Sequence, residues 1–379
     1  MSDQGTPTWT AAEETAMRRA LELAATPGVP TGPNPRVGCV LLDDDGRTVA
    51  EGFHRGAGSA HAEVDALTAA GDRARGATAV VTLEPCNHTG RTGPCAQALI
   101  AAGVRRVVHA QRDPNPDAAG GAETLRVAGI EVVDGLLADD AHALNRVWTF
   151  AVETGRPFVT WKFATTLDGR SAAADGTSRW VSGTAARRDT HRLRALVDTM
   201  LVGTNTVEVD DPQLTVRDAH DRPLPHQPLR AVMGLRDLAP DRRVLDDQAE
   251  TVHLRTRDPH LALQALRERD RQHVFLEGGP TLAAAFVHEG LVDEVVVYVA
   301  PLAECPAPPR AALVGRGASA ASHETPPRGP LTCSPASSRS SAPSSPSRTR
   351  ATRSASPSAP PPCWRAPAWA TASPSTAAA

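Results

Sequence analysis

The chain has 379 residues, of which 41% are apolar and 22% charged, a composition typical of a globular protein with two or three domains. Its six cysteines are too few for a disulfide scaffold, no apolar stretch is long enough to cross a bilayer, and the N-terminus lacks the features of a secretory signal. Eight Arg and two Glu give residues 303–379 a charge of +6, so the first 302 residues carry −9 and are not expected to bind nucleic acid. We therefore expect a cytoplasmic protein with reduced thiols and no membrane partner.

The first 150 residues alternate between predicted strands and helices. Thr10 and Glu13 form a T-x-x-E capping box at the start of the first helix. In chain order, the patterns predict a helix over 10–26, a hairpin of "VGCVLL" and "RTVAEGF", a helix from "SAHAEV", a strand "TAVVTLEP", a helix from Cys95 to Gly103, a strand "RRVVHAQ", a helix "AETLRVAG" and a strand "IEVVDG". This alternation predicts a layered α/β domain over residues 1–153, followed by the linker "TGRP".

A second α/β domain is predicted over residues 154–302. Its elements, in chain order, are a strand "FVTWKFA", a helix "GTAARRDTHRLRALVD", strands "TMLVGT", "RAVMGL" and "TVHLR", a helix "LALQALRER", a strand "HVFLEGG", a helix "PTLAAAFVHEG" and a strand "VDEVVVYVAP". Residues 303–379 are rich in Pro, Ser, Ala and Arg and show no apolar periodicity. Such a composition cannot bury a core, so we expect a disordered tail.

A group of residues typical of a metal site lies in the first domain. His61 and Glu63 stand at the start of a predicted helix, whereas Cys86 and Cys95 each follow a proline, at a strand end and a helix start. Three such ligands hold zinc and leave a fourth position for water, and zinc lowers the pKa of that water to about 7. Residues two apart on a helix do not face each other, so we expect His61 to bind the metal and Glu63 to transfer protons. An H-x-E followed by Pro-Cys pairs is typical of zinc deaminases.

Other interpretations of these residues stay open at this point. Taken singly, a His or Cys is usually a packing residue, and an acidic residue in the first turn usually complements the helix dipole. A closed structural zinc site with His88 as the fourth ligand is a further alternative, although such a site gives Glu63 no role.

The spacing of the two cysteines departs from the tight C-x-x-C of other zinc deaminases. Eight residues, "NHTGRTGP", separate Cys86 from Cys95. Together with "GPNPRVGCV" at 32–40 and with "AAGVRRVVHAQRDPNP", this spacing resembles the bifunctional deaminase/reductase family of riboflavin biosynthesis, and the resemblance covers residues 10–302. It implies a three-layer first domain similar to cytidine deaminases, which removes the 2-amino group of a diaminopyrimidine that carries a phosphoribosylamino arm.

The resemblance also implies roles for individual residues of the first domain. His61, Cys86 and Cys95 would bind zinc, and Glu63 would be the proton shuttle. The loop around Asn34 and the insert "NHTGRTG" would contact the pyrimidine and the phosphate of the substrate.

The second domain resembles the reductase of the same family, which has a dihydrofolate-reductase-like fold and uses NADPH to reduce the ribosyl group to ribityl. The resemblance rests on "TWKFATTLDGR", "SRWVSG", "RRDTHRLRALVD", "VGTNTVEVDDPQLTVR" and "FLEGGPTLAAAF". The last of these places a glycine turn at a helix N-terminus, where free N–H groups bind phosphate, although alone it is an ordinary strand-to-helix turn. The implied NADPH-binding residues are Ala164, Trp180, Thr206, Asp210, Gly279, Pro280, Thr281, Leu282, Ala283, Ala284 and Ala285. The implied substrate-binding residues are Ser178, Arg194, Leu214, Arg217 and Glu277, and the two arginines suit a phosphate.

Lys162 is the only lysine in a chain that otherwise uses arginine for positive charge. A coding bias toward arginine would remove dispensable lysines, so we predict that Lys162 binds substrate; the alternative is a lysine at a strand edge. The segment "MGL" at 233–235 departs from the family, and we assign it no contact.

The family pattern ends near residue 302, and the Pro/Ser/Ala/Arg-rich tail replaces the usual closing elements of the reductase. We hypothesise a frameshift at this point. Whether the reductase domain is active and forms homo-oligomers depends on whether it folds without those closing elements. Three alternative functions stay open: a deaminase with an inactive reductase half, a non-catalytic binding protein stabilised by zinc, and a deaminase that edits nucleic acid.

Overall fold

The computed structural model describes residues 9–29, 32–88, 93–171, 182–218, 220–300 and 348–352. The described residues form two compact units. The larger contains residues up to Lys162, residues from Arg188 to Val296 and residues 350–352, and the smaller contains Phe163 to Arg187 together with 297–300 and 348–349.

Some of the predicted features lie outside the described residues. These are residues 89–92 of the insert "NHTGRTG", Ser178, Trp180 and the whole predicted tail apart from one short strand at Arg348–Thr352. Among the helices that the structure describes, none combines the length and the apolar character needed to span a membrane.

The N-terminal half folds around a five-stranded sheet. Its elements are α1 (Ala11–Ala24), β1 (Gly38–Leu42), β2 (Thr48–Phe53), α2 (Ala62–Ala70), β3 (Thr78–Leu83), α3 (Cys95–Ala102), β4 (Arg106–Gln111), α4 (Gly121–Val127), β5 (Glu131–Asp134) and α5 (Ala138–Thr154). The strand order is β2-β1-β3-β4-β5. β1 pairs antiparallel with both β2 and β3, whereas β3, β4 and β5 are parallel. The predicted hairpin and the capping box at Thr10 are both confirmed.

Both faces of this sheet are covered, because alternate residues of a strand point to opposite faces. Leu41 and Val81 belong to a core shared with α2 and α3. Their neighbours Val40 and Val80 belong to a second core shared with α1 and α5. Since every residue of β1 and β3 is buried, these strands read as continuous apolar runs. The predicted three-layer arrangement is confirmed.

A second, seven-stranded sheet is formed by the rest of the described chain. Its elements are β6 (Phe158–Thr166), α6 (Thr184–Arg194), β7 (Thr199–Gly203), α7 (Thr204–Asp210), β8 (Leu229–Met233), β9 (Thr251–Leu254), α8 (Pro259–Arg267), β10 (His273–Leu276), α9 (Pro280–His288), β11 (Glu294–Ala300) and β12 (Arg348–Thr352). The strand order is β12-β11-β6-β10-β7-β8-β9. The strands β6, β10, β7, β8 and β9 are all parallel, so their carboxyl ends lie along one edge of the sheet.

Three elements were not predicted from the sequence. α5 starts after Leu137, whose φ of 54° is left-handed and whose side chain cannot cap a helix, so the usual start signal is missing. α7 begins directly after β7, without an intervening loop. The apolar run of the strand therefore leads straight into the first turn of the helix, and no separate loop marks the boundary. β12 lies in a segment with no strand pattern, and it is the neighbour of β11 in the sheet.

Candidate active site

Two helix starts and one strand end carry the three predicted metal ligands. His61 is the N-cap residue of α2, and its extended backbone (φ −68°, ψ 159°) lies outside the helical geometry. Cys95 is the first residue of α3, directly after the N-cap Pro94, and Cys86 follows the end of β3. Neither N-cap side chain makes the hydrogen bond that normally satisfies a helix N-terminus.

The ligand atoms of these three residues converge. Nδ1 of His61 lies 3.2 Å from Sγ of Cys95 and 3.5 Å from Sγ of Cys86. All three ligand atoms lie within 4.8 Å of one another. One imidazole and two thiols so arranged are a donor set that zinc prefers. Within the described ranges this group contains no further residue, and His88 is not part of it.

The sulfur of Cys86 is suited to metal binding by its surroundings. The hydrogen bond from Cys95, and a further one with His61, lower the pKa of Cys86 to about 4, although burial opposes this shift. The same hydrogen bond with Cys86 and burial raise the pKa of Cys95. Binding of a metal ion releases such a proton, because the ligand is the thiolate.

Glu63 lies beside the ligands in the first turn of α2 and is only 4% exposed. Burial raises the pKa of Glu63 to about 7, with a smaller contribution from the charge of Cys86. Because His61 has extended rather than helical backbone, the two side chains are not separated by the usual helical rotation. An imidazole and a carboxylate only two positions apart can thus serve one site.

Glycines allow the close packing that places the ligands. A Cβ on Gly52 of β2 would lie 2.4 Å from the carbonyl oxygen of Ala62, so only glycine lets α2 start this close to the strand. A Cβ on Gly121 would lie 1.7 Å from the carbonyl oxygen of Pro85, at the turn that carries Cys86. Both approaches exclude any larger residue without movement of the backbone.

Two of the three ligands, His61 and Cys86, line a cavity of about 490 Å³ together with Glu63. This volume is sufficient for a small molecule such as a nucleobase with a substituent. Asn34, which is predicted to contact the substrate, lines the same cavity. The remaining lining residues are Pro33, Pro35, Val37, His54, Ala57, Gly58, Ser59, Ala62, Leu83, Glu84, His88, Asp113, Asn115, Ala118, Trp148 and Asp270.

Sequence reasoning missed several polar residues of this cavity. The buried carboxylate of Glu84 accepts hydrogen bonds from the backbone N–H groups of Asp113 (3.2 Å), Gly120 (3.1 Å) and Ala122 (3.0 Å). It therefore holds the segment with Asp113 and Asn115, which follows the end of β4, against the end of β3. Burial raises the pKa of Asp113 to about 6. The polar run "RDPN" directly after a buried parallel strand could have identified Asp113 and Asn115, because α/β sheets bind ligands at the carboxyl ends of such strands.

His54 was also missed, and it contacts Asn34. Its Nε2 lies 3.0 Å from Nδ2 of Asn34, and its Nδ1 lies 3.0 Å from the carbonyl oxygen of Ala60. A carbonyl oxygen only accepts, so Nδ1 carries the proton and Nε2 accepts from the Asn34 amide. The amide oxygen of Asn34 is left to accept a hydrogen bond from another group.

The predicted NADPH residues of the larger unit lie at the carboxyl edge of the second sheet. Gly279 is the N-cap of α9, Pro280 is its first residue, and residues 281–285 continue that helix. Thr206 and Asp210 belong to α7, which follows β7. A Cβ on Gly279 would lie 3.9 Å from Oγ1 of Thr206, so the N-termini of α9 and α7 are adjacent. A glycine turn at a helix N-terminus, at the carboxyl ends of parallel strands, fits the phosphates of a dinucleotide.

Three of the predicted substrate residues form a charged group beside this edge. The guanidinium of Arg194 donates to both carboxylate oxygens of Glu277, at 2.8 and 2.6 Å, and to the carbonyl oxygen of Thr215 at 3.2 Å. Burial opposes ionisation of Glu277, but the charges of Arg194 and Lys162 outweigh it and lower its pKa to about 2. Lys162 lies on β6 between β11 and β10, so it is not a lysine at a sheet edge.

The other predicted residues of the second domain are less closely grouped. Leu214 is buried and has a φ of 56°, a conformation that is costly for such a side chain and recurs at functional sites. The guanidinium of Arg217 donates to Thr215, to Gln213 and, at 3.0 Å, to Asp221. Ala164 lies on β6 in the smaller unit.

Comparisons with known proteins agree with both halves of the chain. Residues 10–111 match the family model "Cytidine and deoxycytidylate deaminase zinc-binding region", and residues 157–303 match "RibD C-terminal domain". The riboflavin biosynthesis protein RibD of Mycobacterium tuberculosis is 51% identical over 76% of this chain and 84% of its own. The structure of Acinetobacter baumannii RibD is 42% identical, with a TM-score of 0.72 over 77% of this chain and 87% of that chain. A Thermotoga maritima deaminase/reductase structure has a TM-score of 0.67 at 35% identity, over 76% and 86%.

The fold and the site define a zinc-dependent deaminase of the cytidine-deaminase type fused to an NADPH-dependent reductase. The chain belongs to the RibD family of bifunctional deaminase/reductases of riboflavin biosynthesis. The predicted class of fold, the two activities and the use of zinc and NADPH are confirmed by these relatives.

Loss of one sulfur ligand gives a direct test of the zinc site. We expect Cys86→Ala to lower the zinc content from about one ion per chain to a small fraction of that, because two remaining ligands bind zinc weakly. The matched control is Cys39→Ala, which removes another buried free cysteine outside the cluster and should leave zinc bound. Metal analysis of the purified proteins measures both, and full zinc retention in Cys86→Ala would contradict the assignment.

Proposed function

We propose that this chain catalyses two consecutive reactions on one phosphorylated pyrimidine. The first is the hydrolytic deamination of 2,5-diamino-6-(5-phosphoribosylamino)pyrimidin-4(3H)-one. The second is the NADPH-dependent reduction of the ribosyl group of 5-amino-6-(5-phosphoribosylamino)uracil to ribityl. The observation that carries the proposal is the convergence of three zinc ligand atoms within 4.8 Å of one another, at a cavity that the buried Glu63 lines together with His61 and Cys86. The names of the relatives, including the Thermotoga maritima protein, support the same substrates.

In the deaminase site, His61, Cys86 and Cys95 hold the zinc ion. When bound, zinc activates water as a nucleophile by lowering its pKa to about 7. Glu63 would take one proton from the attacking water and pass it to a ring nitrogen of the pyrimidine, and it would then carry the second proton of that water to the amino group, which leaves as ammonia. The amide oxygen of Asn34 accepts a hydrogen bond from the pyrimidine, and His54 orients that amide.

In the reductase site, NADPH supplies the hydride. Gly279 to Ala285, Thr206 and Asp210 hold the cofactor at the carboxyl edge of the sheet, and Ala164 and Trp180 complete its predicted binding residues. Arg194, Glu277 and Lys162 form the charged group that orients the ribosyl phosphate, with Ser178, Leu214 and Arg217 as further predicted substrate residues. The buried pairing of Arg194 with Glu277 keeps both groups ionised in a fixed position.

The two activities can be separated in one experiment. Purified protein is incubated with the diaminopyrimidine phosphate, with and without NADPH, and the products are identified by mass. We expect the deaminated pyrimidine without NADPH, and the same product with an added pair of hydrogens when NADPH is present. No deamination in either reaction would contradict the proposal. Deamination without reduction would instead identify the deaminase-only alternative.

Glu277→Gln should act on the reductase step alone. The substitution removes the charge that faces Arg194 and leaves a buried guanidinium unpaired, which displaces it from its position. We expect the NADPH-dependent step to slow by roughly 10- to 100-fold, the effect of a small misplacement of a positioning group, while deamination is unchanged. The control is Glu289→Gln, which changes an exposed carboxylate at the end of α9 and should affect neither step. Equal rates in Glu277→Gln and wild type would contradict the assignment.

We also propose the division of the chain into a deaminase domain (1–153), a reductase domain (154–302) and a tail that results from a frameshift. The end of the reductase family match at residue 303 supports this last boundary, and translation of the gene in its other frames tests it.

A cytoplasmic location is proposed as well. Homo-oligomer formation through the reductase domain stays a prediction, and light scattering measures it.

A further inference from the structure

A segment that belongs to the second sheet reaches the deaminase cavity. Residues 268–272 connect α8 to β10, and Asp270 is one of the residues that line the cavity with His61, Cys86 and Glu63. The deaminase family match ends at residue 111, far before this segment in the chain. All of these residues belong to the larger compact unit.

Gln272 makes a direct contact with the loop that carries Asn34. Its side-chain Nε2 donates a hydrogen bond of 2.8 Å to the carbonyl oxygen of Pro33. Gln272 is only 4% exposed, so water does not replace this bond if it is lost. Pro33 and Asn34 both line the cavity, and Gln272 therefore holds the backbone directly before Asn34.

Gln272 is itself fixed by the second sheet. Its backbone N–H donates to Oδ2 of Asp198 at 2.7 Å, and its carbonyl oxygen accepts from the N–H of Phe158 at 2.8 Å. Gly32 packs against the same group, because a Cβ there would lie 3.1 Å from Oδ2 of Asp198. The loop before Asn34 therefore packs against Gln272 and Asp198, which belong to the proposed reductase domain.

We propose that Gln272 is a positioning residue of the deaminase reaction, through which the reductase half holds the Asn34 loop in the geometry that binds the pyrimidine. The inference rests on the proposed deaminase function. It follows that the deaminase site of this chain is completed by residues of the second domain.

The test is a set of full-length variants assayed for deamination of the diaminopyrimidine phosphate. Gln272→Met keeps the length of the side chain and removes the donor, and Gln272→Glu keeps the shape but places an acceptor against the Pro33 carbonyl. We expect kcat/KM to fall on the order of 10- to 100-fold in both, with the zinc content unchanged. Gln264→Met is the matched control, since Gln264 lies exposed on α8 and its side chain donates to Glu268 of the same segment.

A double-mutant cycle with Asn34→Ala separates positioning from general stability. If Gln272 acts through Asn34, Gln272→Met lowers kcat/KM in the wild-type background but has little further effect in the Asn34→Ala background. An equal loss in both backgrounds, loss of zinc together with activity, or unchanged kcat/KM would each overturn the proposal. If the wild-type protein does not deaminate the substrate at all, the proposed function fails instead, so the two failures are distinguishable.

Discussion

Replacing Glu63 with Gln should lower kcat for deamination by about 10²- to 10⁴-fold, the usual contribution of a positioned general acid–base group. The amide has nearly the same shape as the carboxylate, so α2 and the ligand on its N-cap should stay in place. It cannot, however, accept and return a proton. The zinc content should therefore remain at the wild-type value, and metal analysis together with a deamination assay measures both quantities.

The control for this prediction is Glu123→Gln, which makes the same change at an exposed position in the first turn of α4. We expect wild-type activity and wild-type zinc content in that variant. Unchanged turnover in Glu63→Gln would overturn the proton-transfer role. Activity lost together with the metal would show that Glu63 maintains the zinc site, and the role assigned to it would again be wrong.

Arg230→Met should have the largest effect on stability, with a loss of about 3–5 kcal/mol in the free energy of unfolding. Arg230 lies in β8 and its side chain is 0% exposed. Its guanidinium donates to Oδ1 of Asp246 at 2.7 Å, to the carbonyl oxygen of Asp246 at 2.5 Å and to the carbonyl oxygen of Ala249. A methionine fills much of the space but leaves these acceptors without their donor. Chemical denaturation measures the change.

The control is Arg236→Met, which removes an exposed ion pair close to the end of the same strand. The guanidinium of Arg236 lies 2.6 Å from Glu208, but its side chain is 54% exposed. Solvent screens such a pair, and we expect a cost below about 1 kcal/mol. Similar costs in the two variants would contradict the argument from burial.

The zinc cluster could be predicted from the sequence because its signals are local. His61 and Glu63 are two residues apart, and each cysteine follows a proline at the boundary of an element, so the pattern survives without knowledge of the fold. The alternation of strands and helices could also be predicted, since most strands of the two sheets, although not β12, are short apolar runs between turn residues. Only the nearest neighbours along the chain are needed for either inference.

The remainder depends on contacts between distant residues. Glu84 matters because three backbone N–H groups, 29 to 38 residues further along the chain, donate hydrogen bonds to its carboxylate, and no pattern around residue 84 shows this. Gln272 is an ordinary polar residue until the fold brings Pro33 to it, 239 positions away in the chain. The role of His54 likewise depends on Asn34. Tertiary proximity of this kind is not encoded in any short window.

The helices that present the zinc ligands begin without the usual capping hydrogen bonds, whereas α1 and α8 have them. A Ser, Asp or Asn in place of His61 would supply such a bond and stabilise α2 by about 1 kcal/mol. This protein cannot gain that stability, because residue 61 must provide the imidazole that binds the metal. The need for a metal site therefore keeps α2 and α3 without capping hydrogen bonds at their N-termini. Substitutions that raise the thermal stability of the protein should be sought away from these two helix N-termini.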